Sequence, residues 1–411
     1  MTELGAPSAP VTDAPASTGG AGEVFRAFLR LGLTSFGGPV AHLGYFRTEF
    51  VERRKWLGEA AYADLVALCQ SLPGPASSQV GMAIGLTRAG LPGALAAWTG
   101  FTLPSAIAIV LFAYGLPLGA SPAGAGLLHG LQVAAVAVVA VAVLGMARTL
   151  APDRLRASIA VLAAVVTLLV PTAFGQIGAI VLGAIAGLWL LRGQAKPGDD
   201  VALPVLTRRR VGAVAIVLFL GLLVGLPVLA SATGNHAIAL FDAFYRTGSL
   251  VFGGGHVVLP LLQAALVPPG WISNNVFLAG YGAVQAVPGP LFTFSAYLGA
   301  VMSLPPNGWA GAALCLVAIF LPSLLLVVGV LPFWDRLRRV PAAQAALRGI
   351  NATVVGLLLA ALYDPVWISG IGGPADLALA MVAFLLLFMW RVPPWAVVLL
   401  SGAAGAAIAL L

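Results

Sequence analysis

The chain has 411 residues, of which 60% are hydrophobic and 9% charged, whereas an average soluble domain carries about 25% charged residues. A water-soluble fold of this length has nowhere to hide so much apolar surface, so lipid must be the solvent for most of it. The net charge of +7 is scattered in short clusters between apolar runs, which argues against nucleic acid as a partner and fits loops beside an anionic membrane face.

Residues 1–22 are nearly uncharged and rich in Ala, Pro, Ser, Thr and Gly. They bury too little to fold and read as a disordered cytoplasmic tail, with neither the basic start nor the apolar core of a signal peptide. Apolar segments of spanning length come next at 24–46, 61–87, 91–116, 124–149, 156–171 and 173–192. A lone segment lies at 211–231, after a basic linker, and six more lie at 238–265, 274–303, 308–332, 345–364, 374–390 and 393–411. The expected fold is an all-α polytopic membrane protein of about 13 transmembrane segments. Its units are a first repeat at 23–195, a linker with an extra helix at 196–236, and a second repeat at 237–411.

The two repeats share residues in order and spacing. Phe25, Phe28, Arg30, Gly32, Phe36, Gly37 and Gly38 recur as Phe241, Phe244, Arg246, Gly248, Phe252, Gly253 and Gly254. After a one-residue slip, Trp56 aligns with Trp271, Gln70 with Gln285, and Pro73-Gly74-Pro75 with Pro288-Gly289-Pro290. Further on, Leu103-Pro104-Ser105 matches Leu321-Pro322-Ser323, and Gly130 and Gln132 match Gly349 and Asn351. Six spans plus one extra turn the second repeat upside down, the inverted plan of many secondary transporters. With the N-terminus inside and the C-terminus outside, most Arg and Lys fall on the cytoplasmic side of an inner membrane. Arg47, Arg53, Arg54 and Lys55 are the exception, removed if 24–46 or 61–87 dips in and returns.

Two constellations carry the chemistry. Consecutive glycines at Gly37-Gly38 and Gly253-Gly254 interrupt a helix and free backbone N–H groups. Where the helix resumes, those groups and the positive end of its dipole make an anion site. Arg30 and Arg246 lie about two turns earlier and offer a fork suited to a tetrahedral oxyanion. The Pro73-Gly74-Pro75 and Pro288-Gly289-Pro290 breaks fall mid-segment, with Ser77, Ser78 and Thr293 as nearby hydroxyl donors. Close helix packing and simple kinks are the plain structural alternatives, weakened here by duplication and by the cost of a charge such as Arg246 within a span. The Leu-Pro-Ser motifs read as kinks with local hydroxyl bonds. His256, Asp64 and Asp242 are the candidates for proton coupling, with Asp242 one turn from Arg246 and able to pair with it. His42 and His129 are further ionisable groups in or near spans. Cys69 and Cys315 stand alone in apolar runs, and no catalytic motif, nucleotide-phosphate loop, metal cluster or cofactor signature is present.

The run from Phe36-Gly37-Gly38-Pro39 to Phe46, the Glu52–Trp56 cluster and Pro73-Gly74-Pro75 resemble the first half of the chromate ion transporter family. Phe252-Gly253-Gly254-Gly255-His256-Val257-Val258-Leu259-Pro260-Leu261 and Pro288-Gly289-Pro290 resemble its second half, in the long two-domain form. The resemblance covers 23–411 and implies export of chromate, coupled to the membrane potential or a proton gradient, and chromate resistance. Sulfate, another tetrahedral dianion of similar size, stays open as an alternative substrate. The expected partners are the anion, the lipid bilayer and, as an option, a second copy of the chain.

Overall fold

A computed structural model describes residues 19–36, 38–115, 121–192, 208–252, 255–337 and 340–410. Most of the expected N-terminal tail, and residues 196–207 of the expected 196–236 linker, lie outside the described residues. Every regular element among the described residues is a helix, in keeping with the membrane rule that backbone polar groups be satisfied within the protein.

The first helix pair does not cross. α1 (Ala21–Thr34) stops at Ser35, and α2 (Gly38–Phe46) continues through a π-helical turn at Arg47–Arg53. Arg54 then lies 3.9 Å from Glu23, so the chain has come back to the end where it started. Stacked Phe28, Phe50 and Trp56 fill the space between the two arms. α3 (Glu59–Ser71) and the first arm of α4 (Ala76–Gly115) repeat the manoeuvre. Glu59 meets Arg47 at 2.7 Å, and Arg88 meets Glu23 at 3.3 Å, so both arms are anchored at the same end. Ala89 and Gly90 leave helical geometry, Gly90 with φ +64°, and the second arm of α4 runs to the opposite end.

α5 (Pro122–Leu150), α6 (Arg154–Leu169), α7 (Ala173–Leu190) and α8 (Arg209–Thr233) then follow as single helices without a mid-helix break. Ser121, Asp153 and Thr172 cap α5, α6 and α7 by accepting backbone N–H bonds, which satisfies donors that lipid could not. α9 (His236–Leu250) and α10 (Val258–Leu266) form a third hairpin, closed by the edge of His236 against Trp271. α11 (Asn274–Val284) and α12 (Phe294–Ala300) form the fourth, and Ser303 N–H donates to the Trp271 carbonyl at 3.0 Å. α13 (Gly308–Val330), the short α14 (Trp334–Leu337), α15 (Pro341–Ala361), the single-turn α16 (Ile368–Gly370), α17 (Pro374–Phe388) and α18 (Pro394–Ile408) complete the chain.

Four of the expected spans, 24–46, 61–87, 238–265 and 274–303, therefore double back. A hairpin adds no crossing, so the inverted relation of the repeats is unaffected. The four hairpins leave fewer single passages than the expected 13, and the basic cluster follows the re-entrant course that the sequence left open. Arg47, Arg53, Arg54 and Lys55 belong to the N-terminal end, because Arg47 binds Glu59 and Arg54 binds Glu23. Among the described residues, every Lys and Arg then clusters toward that end except Arg30 and Arg246, which lie within hairpin arms.

The repeats are interleaved. α5 of the first packs on α18 of the second where Gly126 meets Gly405 and Gly130 meets Ser401 and Gly402. α15 of the second packs on α7 of the first where Gly349 meets Gly183 and Gly187. Small residues let backbones approach within membranes, where dispersion and packing replace the hydrophobic drive. Val214, Val217, Val224 and Val228 on α8, and Leu162 and Trp189 on α6 and α7, face outward as a lipid-compatible surface. Among the described residues, five helices are long and apolar enough to cross a membrane by length and composition, and α8 is the least buried of them.

Candidate functional site

All four hairpins end at the same depth and touch there. Ser35 ends α1 in an extended conformation, and the chain re-enters helix at Gly38 with φ +77°. Gly289, between its two prolines, has φ +95° and donates its N–H to the Ser35 carbonyl at 2.9 Å. The mirror contact exists. Gly74 has φ +122° and donates its N–H to the carbonyl of Val251, at the tip of the third hairpin, at 2.6 Å. Ser35 and Val251 are equivalent positions of the two repeats, as are Gly74 and Gly289. Each Pro-Gly-Pro break is thus bonded to the hairpin tip of the other repeat. Proline removes a neighbouring donor on both sides, and the glycine supplies the N–H in a backbone shape that side chains disfavour.

Hydroxyls and imidazoles surround the pair. His42 Nε2 lies 3.2 Å from the Ser35 carbonyl, which can only accept, so that nitrogen carries the proton. Ser77 Oγ, 3.4 Å from His42 Nδ1, is then placed as a donor. Gln79 Nε2 donates to the Pro73 carbonyl at 2.6 Å, and Thr293 Oγ1 donates to the Pro290 carbonyl at 2.9 Å. Ser78 Oγ and Ser323 Oγ are buried without a hydrogen-bond partner. His256 Nδ1 lies 2.7 Å from the Tyr281 hydroxyl.

Three cavities lie along the hairpins. One of about 180 Å³ is lined by Gly38, Pro39, His256, Gln285 and Gly289 together with Val138 and Leu387. A second, of about 270 Å³, holds Asp242, Arg246, Thr247 and Trp271 toward the end opposite the N-terminus. The largest, of about 510 Å³, runs along α3 and holds Asp64, Gln70, Ser71, Arg348 and Asn351 toward the N-terminal end.

The sequence-predicted residues divide accordingly. Pro73, Gly74, Ser77, Gly289, Pro290 and Thr293 converge on the centre through the bonds above, and Gly38, Pro75, Ser78 and Pro288 adjoin them in the chain or line the centre, whereas Gly37, Gly253 and Gly254 lie outside the described residues. Arg30 is exposed on α1. Arg246 forms an ion pair with the buried carboxylate of Asp242, on the cavity away from the centre. His256 reaches the central cavity, and Asp64 the large one, where its Oδ1 accepts from Trp334 Nε1 at 3.1 Å.

Sequence reasoning missed Ser105 and Ser323 as members of the centre. A Cβ on Gly289 would lie 2.8 Å from Ser105 Oγ, and one on Gly74 would collide with Ser323 Oγ. The signal was the duplicated Leu-Pro-Ser motif. Ser105 does make the local bond expected of a kink, to the Thr102 carbonyl at 3.0 Å, and also faces the other repeat's glycine. Arg348 carries no comparable signal, being one of several arginines that the sequence places on the cytoplasmic side.

No solved structure matches the chain. Relatives match over most of its length. The chromate transport protein of Pseudomonas aeruginosa is 28% identical over 399 residues, 93% of this chain and 91% of that one. The chromate transport protein of Cupriavidus metallidurans is 26% identical over 367 residues, 88% and 86% of the two chains. A probable chromate transport protein of Synechococcus elongatus is 25% identical over 343 residues, 83% of each. The family model described as chromate transporter matches residues 22–188 and 238–406, one stretch for each repeat whose hairpin tips and Pro-Gly-Pro breaks meet at the centre, and the chain belongs to that family.

Proposed function

We propose that the chain exports chromate from the cytoplasm across the inner membrane by secondary-active alternating access, and thereby confers chromate resistance. The observation that carries this reading is the reciprocal pair, Gly289 to Ser35 and Gly74 to Val251, which puts helix breaks from both ends at one depth. Broken helices around a central site are how inverted-repeat carriers present backbone dipoles to a substrate. The anion passes the tips, where the unpartnered Ser78 hydroxyl, the Gly38 backbone and, once turned away from His42 Nδ1 and the Pro290 carbonyl, the Ser77 and Thr293 hydroxyls supply neutral donors. Arg30 and Arg246 act as counter-charges along the way rather than at the tips. The N-terminus is cytoplasmic, since basic residues gather at its end.

The ends are unequally closed, which supports alternating access. At the far end α11 packs on α5. Gln132 Nε2 donates to the Asn275 carbonyl at 3.0 Å, and Gly282 lies directly against Leu131. The equivalent residues at the N-terminal end, Asn351 and Ala60, both line the large cavity. The same pair of walls is shut at one end and parted at the other.

Inverted membrane vesicles test the direction. Chromate should accumulate inside them under an imposed gradient and should stop when the gradient is collapsed. Accumulation only in right-side-out vesicles would refute export. Sulfate is the second reading, because neutral donors and guanidinium groups recognise any tetrahedral dianion. Its own flux in the same vesicles decides between the two.

A further inference from the structure

Resting on the reading of the chain as an oxyanion carrier, we propose that the large cavity along α3 is an anion-binding vestibule, with Arg348 as the residue that holds a tetrahedral dianion on its way to the central break. The cavity runs from Ala60, near the N-terminal end, to Gln70 and Ser71. Ser71 is the last residue of α3 before Leu72 and the Pro73-Gly74-Pro75 break, so the cavity joins one face of the protein to the centre. At about 510 Å³ it is the roomiest of the three cavities along the hairpins.

Its chemistry suits a dianion. Arg348 Nη1 is buried and has no hydrogen-bond partner. A guanidinium N–H buried without an acceptor is costly, and a doubly charged oxyanion is the acceptor that best matches its fork. Asn351, one turn further along α15, also has a buried unpartnered side-chain atom, its Oδ1. Oxygen and nitrogen of an amide exchange by rotation about one bond, so Asn351 can turn its NH₂ to the ligand. Gln70 and the Ser71 hydroxyl line the inner end. Asp64 is on the same wall and offsets the charge of Arg348, which keeps the site weak enough to release its ligand, as a transport path requires.

Inverted symmetry strengthens the assignment. The position equivalent to Arg348 is His129, and its side chain is occupied, 2.9 Å from Asp376. Of the two equivalent positions, only the one at this end, where the walls have parted, carries a buried side-chain nitrogen without a partner.

The test uses the purified full-length chain, with equilibrium chromate binding in detergent and chromate flux in proteoliposomes. Arg348→Gln should weaken binding about 10–100-fold, the worth of a charge-assisted hydrogen bond, and should raise KM while leaving kcat little changed. Arg348→Lys should recover part of the loss, since it restores the charge without the fork. Arg348→Gln binding within threefold of wild type would overturn the site. Should that variant not fold, Asn351→Asp adds a carboxylate to the same wall, and unchanged affinity there overturns the site equally. Wild-type protein that binds chromate but moves none would instead overturn the carrier reading and leave the site standing.

Discussion

Gly289→Ala tests the centre by adding one methyl group. The residue sits at φ +95°, where an L side chain costs about 1–2 kcal/mol. Its Cβ would lie 2.8 Å from Ser105 Oγ and 3.2 Å from the Phe101 carbonyl, so crowding adds about 1–3 kcal/mol. The expected loss is about 2–5 kcal/mol, with a matching fall in transport if the strain is relieved by breaking the Gly289–Ser35 bond. The two components can be separated. Ser105→Ala alone loses the 3.0 Å bond to the Thr102 carbonyl, worth about 0.5–1.5 kcal/mol. In the Gly289→Ala background the same change removes the crowding atom, so the double variant should be more stable than the sum of the two single variants predicts. The backbone share should remain. Unfolding titrations in detergent, with chromate flux alongside, measure all four corners of the cycle. Additivity within about 0.5 kcal/mol would refute the claim that Ser105 and Gly289 meet across the repeats.

Arg246→Ala leaves the Asp242 carboxylate buried without its partner and should destabilise the protein by about 3–5 kcal/mol. The paired change Asp242→Asn with Arg246→Gln should keep the fold, and loss of chromate flux in that double variant would show a transport role for the guanidinium. Cysteines placed at Gln132 and Asn275 should cross-link readily in the state described, and cysteines at Ala60 and Asn351 only when the far end opens. Equal cross-linking of both pairs at all times would rule out exchange between the two closures. His42→Gln keeps an N–H near the Ser35 carbonyl and should retain most stability, whereas His42→Phe should lose about 1–3 kcal/mol in thermal or denaturant titrations.

The duplication was legible because its markers are backbone chemistry. Pro73-Gly74-Pro75 and Pro288-Gly289-Pro290 interrupt a helix where they fall mid-segment, because each proline removes a donor and crowds the preceding turn. The course of the chain beyond each break was not legible, since a hairpin of two short apolar helices and one long span have the same hydropathy. The misfit of Glu52-Arg53-Arg54-Lys55 was the one hint, and the Arg54–Glu23 contact explains it. Partners across the repeats were invisible because nothing local distinguishes a serine that only back-bonds from one that also faces a distant glycine. Ser105 does both. Arg348 stayed hidden for a related reason. Its place in a basic stretch gave no sign that α3 would stand off from α15 and leave its guanidinium over a cavity.

The reciprocal bonds form a half-lap joint, in which each repeat contributes one tongue and one notch. Either repeat by itself holds a glycine N–H and a tip carbonyl that its own hairpins do not satisfy, at a depth where water is scarce. Separately expressed repeats should therefore mature only when co-produced, and then only in opposed orientations. The same joint couples the hairpins mechanically. A tilt of the first hairpin tip pulls on the fourth, and a tilt of the third pulls on the second, so movement of a hairpin in one repeat is transmitted to the other.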